Sequence, residues 1–115
     1  MSIITDMVSS EQRLRVAVVG GLSRAQNLWT RAAEVLGIQV EHHPGQTKGR
    51  GSAEITAAVR RADVVVIITD PNSHNGVAVA RRAAIAAARP HVLVKHLRPG
   101  GLAAVLASSA MADLL

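Results

Sequence analysis

The sequence predicts a small doubly wound α/β fold, on three observations. Four short segments rich in Val and other apolar residues recur along the 115-residue chain, and each is followed by a segment with helical spacing. In the first and third of them the β-branched residues run without alternation, as strands buried on both faces do. Such strands need helices above and below a parallel sheet.

After a loosely ordered N-terminal segment over residues 1–13, "LRVAVVGG" (14–21) reads as a buried strand closed by two glycines. "SRAQNLWTRAAEVLG" has helical spacing, with Ser23 as N-cap and Gly37 as terminator. "IQVEHH" (38–43) is the second strand, "PGQTKGRG" a loop of turn formers, and "SAEITAAVRRA" (52–62) the second helix, opening with Ser-x-Glu. "DVVVIIT" (63–69) is the third strand, and "NSHNGVAVARRAAIAAA" a helix capped by Asn72 or Ser73. "HVLVKHL" (91–97) follows Pro90 as the fourth strand, and "GGLAAVLASSAMADLL" forms the last helix. No linker or repeat divides residues 14–115, which read as one domain. Right-handed crossovers give a Rossmann-like or flavodoxin-like sheet of four strands in the order 2-1-3-4, with helices on both faces. The winding reverses between the first and third strands.

Composition limits the chemistry. With 49% apolar residues but one Trp and no Phe or Tyr, the core has to be built from small aliphatic side chains. No stretch reaches the roughly 18 uncharged apolar residues of a membrane span, and the N-terminus carries acids where a secretory signal is basic, so the expectation is a soluble cytoplasmic protein. The absence of cysteine excludes disulfides and thiolate chemistry, leaving five histidines as the main candidate ligands. The net charge of +5 is spread along the chain without the aromatic residues that stack single-stranded bases. It suits a small anionic ligand better than nucleic acid.

Ligands of such sheets bind beyond the carboxyl ends of the strands, beside the reversal of winding. That rim collects Gly20-Gly21, Glu41-His42-His43, Thr69-Asp70 with Ser73-His74, and Lys95-His96. Gly20-Gly21 ahead of a helix offers backbone N–H groups to an anion, with Ser23 and Arg24 as further donors; a tight turn at positive φ accounts for the same pair. "GGLSRA" has Leu22 where a dinucleotide fingerprint needs its second glycine, and the order G-K-[ST] of a phosphate loop is absent. His42 and His43 are adjacent on a strand and point to opposite faces, so one is packed or solvated while the other, His43, faces the crevice. Asp70 lies one turn from His74 and is placed to fix its imidazole, while Asn72 and Ser73 serve as helix caps. Ser73 and His74 diverge at a helix start and no G-x-S-x-G elbow exists, which argues against a Ser-His-Asp hydrolase.

The motifs "VVGG" (18–21), "HHPG" (42–45), "AD" (62–63), "TDPNSH" (69–74), "ARRAA" (80–84), "RP" (89–90) and "RPGGL" (98–102) resemble a bacterial family, domain of unknown function 2325, over about residues 14–106. The chain departs from that pattern in lacking cysteines near the T-D motif, where it has Pro71, and in the length of "VLVKHL", so Lys95 and His96 are not carried over. The resemblance implies a histidine-dependent binding domain for haem, acting as a dioxygen carrier or sensor and not as an enzyme. Haem needs an axial histidine, an apolar slot, and cations for its propionates. His74 and His43 are the candidate metal ligands, Asp70, Ser73, Gly20 and Gly21 lie around them, and Arg24, Lys48, Arg50 and Arg98 are the nearby cations. So few aromatics wall a flat cofactor best across a homodimer, buried through the Ala-rich third helix and the last helix. The alternative is an enzyme or sensor for a small phosphorylated ligand or nucleotide at Gly20-Gly21, with Asp70 and His74 as acid-base partners.

Overall fold

The computed structural model describes residues 13–22 and 26–108. Four parallel strands, β1 (Arg15–Val19), β2 (Gln39–His43), β3 (Val64–Ile68) and β4 (His91–Val94), form one sheet in the order β2-β1-β3-β4. This is the doubly wound α/β sheet predicted from the sequence, with its reversal between β1 and β3. Helices α1 (Gln26–Leu36), α2 (Gly51–Arg61), α3 (His74–Ala86) and α4 (Leu102–Leu106) connect and flank the strands, α4 following a 3-10 turn over Pro99–Gly101.

The unbroken apolar runs of β1 and β3 are central because both of their faces are covered. Ala17, Val19, Val65 and Ile67 pack against Ile55, Ala58 and Val59 of α2 and Ala80 and Ala84 of α3. Val16, Val18, Val64, Val66 and Ile68 pack on the other face against Trp29 of α1 and Leu102 of α4. Alternation of side chains along each strand thus divides one apolar run between two core layers. The outer strands are only partly buried.

Several boundaries differ from the sequence reading. The fourth strand ends at Val94 instead of Leu97, because past Lys95 the chain turns toward Pro99, which heads the 3-10 turn. Of the two proposed caps of α3, Ser73 is the one used: its hydroxyl accepts from the Gly76 N–H. Helix α2 begins one residue early, at Gly51, a position packed so tightly that a β-carbon there would stand 2.1 Å from the Gln46 carbonyl oxygen. The last helix ends at Leu106, with Ala107 as its C-cap, short of the expected run; the expected loose segment apart from Arg13, the proposed cap Ser23, the cation Arg24 and the expected helical residues 109–115 lie outside the described residues. Among the described residues no helix is long and apolar enough to cross a membrane.

Candidate functional site

The carboxyl rim is a tight knot of backbone with a cleft on each side. At its centre Gly20 (φ +109) and Gly21 (φ +86) turn the chain out of β1. The Gly20 N–H donates to the His43 carbonyl at 2.7 Å and the Gly21 N–H to the Pro71 carbonyl at 2.8 Å. The two amides proposed as an anion cradle are therefore spent on the protein's own carbonyls. A β-carbon on Gly20 would meet the Ile68 carbonyl oxygen at 2.3 Å, so this glycine is needed for close approach of β1 to the chain leaving β3.

Asn72 fastens that approach. Its Nδ2 donates to the Ile68 carbonyl at 2.7 Å, and its Oδ1 accepts from the Ser73 N–H at 2.7 Å. Ser73 Oγ donates to the Gly45 carbonyl at 2.9 Å while accepting from Gly76 N–H at 2.8 Å, so one hydroxyl both caps α3 and ties it to the β2–α2 loop. Gly45 and Gly76 are small because Asn72 Oδ1 occupies the space a β-carbon would take, at 2.0 and 2.5 Å respectively. Ser73, Gly20 and much of the "HHPG" and "TDPNSH" motifs thus have a structural role at the reversal of the winding.

The two adjacent histidines diverge as their strand periodicity requires. His42 Nε2–H donates to the Gly20 carbonyl at 2.6 Å, and its ring lies 5.7 Å from that of Trp29, centroid to centroid. Burial holds the His42 pKa below its ordinary value; the bond to Gly20 opposes this, and His43 adds to it. In that neutral tautomer Nδ1 is an acceptor, buried and without a hydrogen-bond partner among the described residues. On the opposite face His43 Nδ1 accepts from the Gly45 N–H at 2.9 Å, and Nε2 faces Glu54 Oε1 at 3.4 Å. The His43 side chain is 12% exposed, and each of its ring nitrogens faces a partner from the protein. The structure does not bring it into a cleft with His74.

Asp70 separates the two clefts and lines both. Its expected partner was His74, but no hydrogen bond or ion pair joins them among the described residues. Asp70 faces His96 instead: His96 Nδ1–H donates to the Asp70 carbonyl at 3.1 Å, and Nε2 lies 3.8 Å from the Asp70 carboxylate. The sequence offered one signal for His96, its place just past a strand's carboxyl end. Local spacing favours His74; the parallel register, which carries Asp70 N–H to the Lys95 carbonyl, favours His96.

His74 is exposed at the first turn of α3 and has no hydrogen-bond partner among the described residues. It lines a cleft of about 910 Å³ with Val77, Ala78, Ile85 and the cations Arg81, Arg82 and Lys95. The second cleft, about 890 Å³, lies between α1 and the chain from His96 to Ala103, and includes Gly21, Asp70 and Arg98. Of the cations proposed from sequence, Arg98 alone lines either cleft among the described residues; Lys48 and Arg50 stand in the β2–α2 loop. No cluster of three or more His, Asp or Glu side chains suited to a metal ion is present among the described residues.

Comparisons with curated proteins and with solved structures give no match. The model of a family described as "Uncharacterized protein conserved in bacteria (DUF2325)" matches residues 15–107. That span takes in the whole sheet and both clefts, and the chain belongs to this family.

Proposed function

We propose that the protein is a non-enzymatic haem-binding domain in which His74 is the axial ligand and the groove along α3 receives the porphyrin, serving as a dioxygen carrier or sensor. The observation that carries this reading is the state of His74. Of the two histidines proposed as metal ligands, it is the one with neither ring nitrogen engaged among the described residues, and it stands at a groove that has an aliphatic wall. An iron-bound imidazole needs such a free nitrogen, which His43 lacks.

The donor set fits the group. Val77, Ala78 and Ile85, the last 62% exposed, supply an apolar wall, and Arg81, Arg82 and Lys95 supply cations for two propionates. None of these three cations has an ion-pair partner among the described residues. When bound, haem supplies an iron centre that takes a diatomic gas. The chain's part is to present one imidazole, balance the propionate charge and shield one face of the ring. A groove along a single helix covers one side of a flat cofactor, so a twofold homodimer with α3 facing α3 belongs to the same reading.

The test is an absorption spectrum of protein produced with haem supplied. A Soret band that shifts with carbon monoxide, is lost in His74→Ala and persists in His43→Gln and His96→Ala is the expected result. Colourless protein that takes up no haem, or a Soret band unchanged in His74→Ala, overturns the reading.

A further inference from the structure

The second cleft is different in kind: Gly21, Asp70 and Arg98, candidate site residues from the sequence, line it, but its aliphatic walls were not among those candidates. Its walls are Leu22, Leu28, Trp29, Val35, Leu97 and Ala103, and its volume of about 890 Å³ lies within the range of pockets for small organic molecules. Several of these walls are large apolar side chains left in water: Val35 is 86% exposed, Leu28 51% and Leu22 49%. On α1, Leu28, Ala32 and Val35 follow helical spacing along a stripe beside the buried Trp29 and Ala33, and Leu28 and Val35 there are exposed, where solvation alone would favour polar residues.

The polar groups of the cleft are few and mainly cationic. Arg31 reaches it from α1 and Arg98 from the opposite wall, and neither has an ion-pair partner among the described residues. Asp70 is the acid on this rim, and both nitrogens of His96 already face its oxygens. Trp29, 2% exposed, carries a buried indole N–H without an acceptor among the described residues, which native proteins seldom leave unexplained. An apolar body with one anionic end suits both the aliphatic walls and the cations: the chain covers the walls, and the head meets two guanidinium groups without ion-pair partners among the described residues, which pair well with carboxylates.

We infer that the cleft between α1 and the segment from His96 to Ala103 is a binding site for an amphipathic monocarboxylate, an aliphatic chain ending in a carboxylate that Arg31 and Arg98 hold. The site is separate from the α3 groove, so it stands whether or not the protein binds haem.

Trp29 is the single tryptophan of the chain and lines the cleft, so its fluorescence reports occupancy directly. The full chain is titrated with dodecanoate below its micelle concentration, and in parallel with dodecyltrimethylammonium, the same chain length with the opposite charge. Saturable 1:1 binding of dodecanoate with a change in Trp29 emission is expected. The cationic amphiphile should bind at least 10-fold more weakly, and Arg31→Gln/Arg98→Gln should weaken dodecanoate at least 10-fold. Both replaced arginines are exposed, and circular dichroism checks that the variant is folded; Val35→Asp is a second variant expected to weaken binding from the apolar side.

Equal binding of the two amphiphiles, no effect of the arginine pair, or no saturable binding overturns the inference. So does a concentration-dependent dimer that Val35→Asp dissociates in a protein that binds no dodecanoate, which gives this face to a second copy. Haem that competes with dodecanoate and loses its Soret band in the arginine variant, but not in His74→Ala, would overturn both this assignment and the α3 reading. Loss of the Soret band in His74→Ala with dodecanoate binding intact leaves both standing.

Discussion

Asn72 and Gly20 meet across the point where the winding of the sheet reverses: a β-carbon on Gly20 would stand 2.8 Å from Asn72 Nδ2 and 2.3 Å from the carbonyl oxygen that Nδ2 binds. The amide thus fills the one gap left by a residue without a side chain, and a similar fit recurs at Gly45 and Gly76.

Gly20→Ala is expected to be among the most destabilising single changes, since it combines a positive φ with a backbone clash. The cost is about 3 kcal/mol or more, the upper range for point mutants. Urea denaturation measures it. A loss below about 1 kcal/mol would mean that the strands separate easily and that the knot does not hold the rim.

Ser73 and His74 are neighbours with opposite expectations. Ser73→Ala removes a helix cap and leaves the Gly45 carbonyl without its donor, at a cost of about 1–2 kcal/mol. His74→Ala removes an exposed ring with no partner and should change stability by less than about 0.5 kcal/mol. Paired thermal melts check this, and a large loss in His74→Ala would make that histidine structural.

His42 gives the fold a pH dependence whose sign follows from its burial. Its folded pKa lies below the ordinary value of about 6.5, so in this range the unfolded chain binds the proton more readily. The stability contributed by a neutral His42 is complete above about pH 6.5 and is lost as pH falls from there toward the folded pKa. Denaturation at a series of pH values from neutral to mildly acidic should show wild type losing stability more steeply than His42→Gln, which keeps a donor for the Gly20 carbonyl. Parallel curves would contradict the assignment.

Two helices end in the same way with different residues. After α1, Gly37 (φ +70) follows the last turn, and Ile38 N–H returns to the Ala33 carbonyl at 3.0 Å. After α3, Ala88 takes the same left-handed position at φ 54, and Arg89 N–H returns to the Ala84 carbonyl at 2.8 Å. Ala88→Gly should therefore stabilise the protein by about 1 kcal/mol, the cost of a left-handed residue bearing a β-carbon. A rise in melting temperature is the readout, and a fall would show that the Ala88 methyl makes a contact worth more than the strain.

Much of this architecture was legible along the chain. Uninterrupted apolar residues, Val-Ala-Val-Val in 16–19 and Val and Ile throughout 64–68, could only be strands covered on both faces, and the helices between them fixed a parallel sheet, its order and its rim. Strand periodicity alone separated His42 from His43. Which histidine keeps a free nitrogen was not legible, because it depends on contacts between residues far apart in sequence. The Gly45 amide and Glu54 engage His43, the Asp70 carbonyl turns to His96, and the Gly20 and Gly21 amides are taken by carbonyls from two other segments.

The cations and exposed aliphatic wall of the second cleft were equally hidden, since Arg31 and Arg98 stand 67 positions apart and line one cleft only because α1 packs on the same face of the sheet as α4. The sequence by itself determined the layers, because burial on one or two faces is a periodic property of neighbouring residues. Tertiary structure decided the chemistry of the rim, because hydrogen bonding there is a competition for a few donors and acceptors that only the folded chain brings together.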